Sequence, residues 1–255
     1  MKQTAIRAAK AAGKVLMKHL HTLSKSDISF KDQHEIVTKE DYQAEKEILK
    51  ILKKECPQHS VLSEEGGGKR RKSDYLWVVD PLDGTTNYSI KHPLFAVSIS
   101  LFYKEKVILG VVFAPYAKEL FVAEKNKGAF LDGKRIRVSK KKKVEKSLLT
   151  FCHGHKLKDI KRAIRIYQKF KLAGYDLRQL GSASLELGFV ADGRTESIMI
   201  PGAHSWDVAA GILLVREAGG KVTDFKGQEW NIKSKDMVAS NGKVHQELLK
   251  SLKSF

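Results

Sequence analysis

Apolar residues recur at helical spacing over residues 2–20, where Ile6, Ala9, Gly13, Leu16 and Met17 share one side. A second helix is expected to begin at Thr38. Thr38 is a suitable N-cap, and Asp41 stands three residues on, as in a capping box. Ile48, Leu49, Ile51 and Leu52 would form its buried face, and Pro57 would end it. The period then shortens towards two. Residues 60–63 and 76–79 read as strands, and 95–103, 107–114 and 119–123 as a run of neighbouring antiparallel strands. Asp132-Gly133 marks a hairpin between 129–130 and 136–138. The second half alternates. Strands are expected at 148–152, 197–200, 221–223 and 237–239. Helices are expected at 156–171, 182–191, 206–218 and from 243 onward. The helix over 156–171 is expected to turn Leu157, Ile160, Ile164 and Tyr167 inward, and Gly219-Gly220 to close the helix over 206–218. The pattern implies an α/β half behind a meander-rich first half, without internal repeats.

Composition narrows the class. A chain of 255 residues can bury a sizeable core. Its longest apolar runs, such as 108–114, are too short to span a bilayer. The first residues lack a continuous apolar stretch, so no signal peptide is expected and a cytoplasmic location is the default. Cys56 and Cys152 are too few and too far apart for a disulfide framework or a zinc site, and read as reduced structural thiols. The formal net charge is +18. It has two readings, a polyanionic partner or solvated lysine faces. The densest runs are Lys69 to Lys72, Lys140 to Lys143 and the stretch from Lys156 to Lys171. None is interleaved with aromatic stacking residues, which favours solvated faces. Either way the field draws in anions.

The chemistry concentrates in carboxylates. In the segment Trp77 to Tyr88 an apolar strand runs into Asp80, Pro81 is expected to stop it, and Asp83 follows. Gly84 allows an unusual backbone angle, and Thr85 and Thr86 can open a helix. Two carboxylates beside free helix N–H groups suit a hard cation together with a phosphate, whose oxygens the N–H groups of Gly84, Thr85 and Thr86 would hold. Asp-Gly alone would be only a turn, and a threonine at a helix start only a cap. Glu64-Glu65, at a strand end before three glycines, could be an exposed acidic loop. Asp207, opening an apolar helix, could simply complement the helix dipole.

Taken in order, these segments resemble the inositol monophosphatase superfamily of metal-dependent, lithium-sensitive phosphatases. The metal-loop pattern D-P-[LI]-D-G-T-[TS]-N reads Asp80 to Asn87 without a departure. The pattern W-D-x-A-A-G reads Trp206 to Gly211, the acidic pair falls at Glu64-Glu65, and T-x-x-D at Thr38 to Asp41. The resemblance implies a layered αβαβα sandwich and a Mg²⁺-dependent phosphatase. Glu64, Asp80 and the Leu82 carbonyl would hold one ion, and Asp80, Asp83 and Asp207 a second. Glu64, through waters, would help place a third, weaker one. Thr85 and Asp41 would form a pair near the attacking water, with Glu65 supportive. Four or five neighbouring carboxylates repel, and divalent ions remove that repulsion.

Substrate identity is less legible. Inositol-specific members typically carry a glutamate seven residues before the W-D aspartate, and here Ile200 stands there. Gly181, Ser182 and Ala183 resemble the stretch that lines the leaving-group side. Arg178 could meet a second phosphate, though bracing the loop is the preferred role. His153 and His155 end a strand that approaches the pocket in the family; His155 is the substrate-contact candidate, against a solvent-exposed strand end. His204 reads as supporting or packing. An inositol-1-phosphate-like ester or sugar phosphate is the expected substrate. The alternatives are fructose 1,6-bisphosphate, the nucleotide 3′-phosphate of phosphoadenosine phosphate, histidinol phosphate, or a non-enzymatic RNA-associated role. The lobes are expected at 1–139 and 147–255, contributing acids to one catalytic unit. The resemblance alone implies a homodimer.

Overall fold

The computed structural model describes residues 1–32 and 35–253. The chain starts with α1 (Lys2–His19), then a hairpin of β1 (Ile28–Asp32) and β2 (Glu35–Thr38), then α2 (Lys39–Glu55). β3 (Ser60–Ser63), β4 (Tyr75–Asp83), the short α3 (Thr85–Ser89), β5 (Ala96–Tyr103), β6 (Lys106–Ala114), β7 (Glu119–Glu124), β8 (Gly128–Leu131) and β9 (Lys134–Arg135) follow. The second half runs β10 (Leu148–Phe151), α4 (Leu157–Leu172), β11 (Asp176–Arg178), α5 (Ala183–Ala191), β12 (Ser197–Pro201), α6 (Ser205–Glu217), β13 (Lys221–Thr223), β14 (Asp236–Ser240) and α7 (His245–Leu252).

The strands form a seven-stranded sheet in the order β3-β4-β5-β6-β7-β8-β9 and a five-stranded sheet in the order β11-β10-β12-β14-β13. Five layers pack through three buried apolar clusters, one of which lies on both sides of the middle layer. Ala8, Ala12 and Leu16 of α1 and Ile48 and Leu52 of α2 pack with Trp77, Val79 and Ile99 of the large sheet. That sheet's other face packs on α5 and α6, whose opposite sides meet Ile198, Ile200 and Ala239 of the small sheet. Ala163, Ile166 and Phe170 of α4 and Leu248 and Leu252 of α7 cover the small sheet from outside. This is the αβαβα sandwich. Lying between two sheets, α5 and α6 are apolar almost all round and have no polar face to display.

The local signals hold at α2. Thr38 N–H and Oγ1 both donate to Asp41 Oδ2, at 2.8 and 2.6 Å, and the helix ends two residues before Pro57. Asp132 and Gly133 both take positive φ, 48° and 79°, and make the tight turn between β8 and β9. The second hairpin strand falls at Lys134–Arg135, earlier than 136–138.

Two expectations are corrected, and two features were not expected. Pro81 does not stop the strand, because β4 runs through it to Asp83. The ladder to β5 shifts there, from Asp80 opposite Ser98 to Asp83 opposite Ala96, so the missing proline N–H falls where pairing is interrupted. The inward face of α4 is also different. Leu157, Ile164 and Tyr167 are exposed, and the buried side is Asp159, Ala163, Ile166 and Phe170. The alternative stripe has equal helical spacing, and only the position of the small sheet selects between them. Finally, the β1–β2 hairpin and β11 have no counterpart among the expected strands.

Candidate active site

A cleft of about 380 Å³ lies where β4, the segment after β3, the start of α6 and the loop before α5 meet. Asp80 and Asp83 both face it. In a regular strand, residues three apart point to opposite sides. The irregularity at Pro81-Leu82 changes that parity, which is why one strand end presents both acids.

Glu64 is held by its own N–H on the Val79 carbonyl, 3.1 Å, which fixes it beside β4. Asp207 occupies the third position of α6 and accepts the His204 N–H at 3.1 Å, closing a capping box. Oxygen atoms of Glu64, Asp80 and Asp207 lie within 4.8 Å of one another. Asp80 is 1% exposed and accepts the Leu82 N–H at 2.9 Å. Burial first, and then the charges of Glu64, Asp83 and Asp207, push its carboxyl well above the ordinary range. Asp207 is pushed up in the same way, by burial and then by Glu64 and Asp83. Such a set of hard oxygens holds protons unless a cation offsets the repulsion, so its donor chemistry fits Mg²⁺.

Asp83 is committed elsewhere. Its Oδ2 accepts from Ser182 Oγ (2.7 Å), Ser184 N–H (2.6 Å) and Ser184 Oγ (2.5 Å), and its Oδ1 from Ala183 N–H (3.1 Å). It thus sits against donors at the start of α5 and is not part of the three-acid group; burial pushes its carboxyl above the ordinary range, opposed by those hydrogen bonds. Asn87 ties the same two regions, with Nδ2 donating to the carbonyls of Leu94 and Leu180 at 2.7 Å each. Between them Gly84 has φ of 95°, and a Cβ there would stand about 3 Å from the carbonyls of Leu94 and Gly181. Only glycine fits this junction.

Thr85 Oγ1 lies 3.0 Å from both Asp41 Oδ1 and the Leu82 carbonyl, so the Thr85–Asp41 pair forms. Asp41 is 1% exposed, and burial, opposed by hydrogen bonds from Thr38, pushes its carboxyl up to about 6. Gly84, Thr85, Thr86, Gly181, Ala183 and His155 line the cleft; Ser182 stands behind it on Asp83. His153 and Ile200 also line it. Arg178 does not, and pairs instead with Asp176 and the Leu177 carbonyl.

Two participants were not foreseen. Lys31 reaches from β1 to Glu64 (3.0 Å), Glu65 (2.5 Å) and Glu35 (3.2 Å). Burial works against its charge, but Glu64 and Glu65 outweigh that and raise its pKa. Glu186, buried in α5, accepts from Cys152 Sγ and from the N–H groups of Leu180 and Gly181, bracing the loop at the cleft. Burial pushes it up to about 7. A glutamate inside an otherwise apolar helix was the available signal for Glu186. Nothing local marks Lys31 among so many lysines.

The inositol monophosphatase family model matches residues 1–254. The Nus factor SuhB of Pseudomonas aeruginosa is 38% identical over 258 aligned positions, covering 99% of this chain and 95% of that protein. Among solved structures, the extragenic suppressor protein SuhB of Bartonella henselae superposes with a TM-score of 0.90 at 34% identity, over 98% of this chain and 97% of that one. An inositol monophosphatase from Anabaena gives 0.85 at 35% identity, over 99% and 95%.

Proposed function

The chain belongs to the inositol monophosphatase family, and from that premise we propose that it is a Mg²⁺-dependent phosphatase hydrolysing a small phosphate monoester. The observation that carries this reading is the convergence of Glu64, Asp80 and Asp207 beside the Thr85–Asp41 pair. Glu64, Asp80 and the Leu82 carbonyl would hold one ion. Asp80 and Asp207 would hold a second, with Asp83 joining through Oδ1, which accepts only one long hydrogen bond. Glu64 would help place a third. When bound, the ions neutralise the acids, shield the phosphoryl charge and acidify water.

The chain's own residues do the rest. Asp41 fixes the Thr85 hydroxyl, which is placed to take a hydrogen bond from a water in the cleft. A carboxyl near pKa 6 can accept that water's proton through the hydroxyl. The water oxygen bonds to phosphorus, the ester P–O bond breaks, and the leaving alcohol takes its proton from solvent. The N–H groups of Gly84, Thr85 and Thr86 would receive phosphoryl oxygens. Gly181, Ala183 and His155 border the space left for the alcohol, with Ser182 steadying that loop from behind. Ile200 gives the wall an apolar patch where an inositol-specific site has a carboxylate. A sugar phosphate or a permissive inositol-1-phosphate activity is therefore favoured. The residue sets 1–139 and 147–255 act as one unit, since the acids come from both. The homodimer remains an inference from kinship, which light scattering tests.

The test is phosphate release with Mg²⁺ from inositol 1-phosphate, sugar phosphates, fructose 1,6-bisphosphate, phosphoadenosine phosphate and histidinol phosphate, ranked by kcat/KM. Turnover of at least one, inhibited by Li⁺ and by Ca²⁺, is expected. No turnover on any member with Mg²⁺ present would remove the reading. The relatives named Nus factor, together with the +18 charge, favour a second, Nus-factor role on a polyanionic partner alongside catalysis. RNA binding whose affinity falls steeply with salt would mark it.

A further inference from the structure

A second cavity, of about 480 Å³, opens between the C-terminal half of α2 and residues 57–71. Its floor is aliphatic, built by Leu49, Leu52, Pro57 and Val61. Its rim carries Lys46, Lys50, Lys53, Lys69 and Arg71, all exposed. Among the described residues none of these five has a carboxylate within 4.0 Å. Lys46, Lys50 and Lys53 recur at helical spacing on α2, so they crowd one side at a cost in mutual repulsion.

One wall is His59, 3% exposed, its ring stacked on Tyr75 at 4.6 Å. Among the described residues its buried Nδ1 has no hydrogen-bond partner. Residues 57–71 close the side facing α2, and Gly67 packs directly against it. A side chain at Gly67 would run into Glu45 and Leu49, so the pocket's shape depends on its absence.

We propose that this cavity is a binding site for a small amphipathic anion, a fatty-acid-like carboxylate whose chain lies on the aliphatic floor and whose head meets the basic rim. The rim selects negative charge. The floor selects an apolar body, because Leu49, Leu52, Pro57 and Val61 offer it aliphatic contact. The site lies outside the catalytic cleft and shares no residue with it.

Calorimetric titration of the full chain with dodecanoate, below its micelle concentration, tests this. Saturable binding of about one molecule per chain is expected, weakening at least tenfold in Lys50→Glu/Lys53→Glu. Val61→Phe, which fills the floor and keeps the charge, is expected to weaken it similarly. Dodecanol, lacking the anion, is expected to bind at least tenfold more weakly. The proposal is overturned by absence of saturable heat, by binding that neither variant changes, or by binding only to phosphatidylglycerol vesicles. It is equally overturned if poly(U) displaces dodecanoate while Val61→Phe has no effect, since the face is then a polyanion surface.

Discussion

Asp80 and Asp83 are separated by Pro81 and Leu82, and their surroundings give them different work. Asp80 faces other carboxylates, whereas Asp83 faces hydrogen-bond donors at the start of α5. Asp80→Asn should therefore cut phosphatase activity by more than the roughly 100-fold typical of losing a supporting partner. In EDTA its Tm should equal or exceed that of the parent, because an amide avoids the cost of either protonating the buried carboxyl or leaving it charged among other acids. Asp83→Asn should also lose activity but be less stable by about 1–3 kcal/mol, since an amide cannot accept all those bonds. Thermal unfolding in EDTA separates the two. His245 makes a third case. It is fully buried between Thr223 Oγ1 (3.0 Å) and Ser240 Oγ (2.9 Å), and burial, aided by Lys221, lowers its pKa from 6.5 to about 4. The folded state thus resists a proton that the unfolded chain accepts. Its contribution to stability should be complete above pH 6.5 and decline as the pH falls towards 4. NMR titration of the folded protein should find this imidazole neutral at pH 5.5; protonation there would refute the assignment. The meeting of Glu64, Asp80 and Asp207 was legible because each stands beside a strand end or at a helix start. Lys31 and Glu186 were not, because their partners are remote in the chain.

At the level of elements, α4 shows what periodicity can and cannot decide. Ile164 and Ile166 lie two residues apart, yet Ile164 is 58% exposed and Ile166 is fully buried. Ile166→Ala should cost about 2–5 kcal/mol, and Ile164→Ala less than about 0.5 kcal/mol, in urea unfolding. Equal effects would contradict the packing described. Two apolar stripes on one helix leave its orientation open until a sheet is placed against it. Pro81 teaches the reverse lesson. Read locally it ends a strand, but the seven-stranded sheet tolerates it at a register shift and gains a second cleft-facing acid. The β1–β2 hairpin was missed because its strands are short and Phe30 is exposed, so neither alternation nor an apolar run stands out.

For the whole molecule, the decisive fact is that α5 and α6, from the second half, fill the space behind the large sheet of the first. Residues 1–139 alone would expose that sheet's apolar face. Expressed separately, 1–139 and 147–255 should lack activity, and the first should aggregate. The layer order was legible from kinship of motifs, while the way the layers share one core depends on contacts across the chain. The arrangement sets Asp207 of the second half against Glu64 and Asp80 of the first, and the proposed divalent-cation site rests on this meeting. Calorimetric titration with Mn²⁺, a hard-cation stand-in for Mg²⁺, measures it most directly. The parent should bind about two ions per chain, with binding lost or weakened at least tenfold in Asp80→Asn and Asp207→Asn. Absence of Mn²⁺ binding in the parent, or undiminished binding in both variants, would contradict the account.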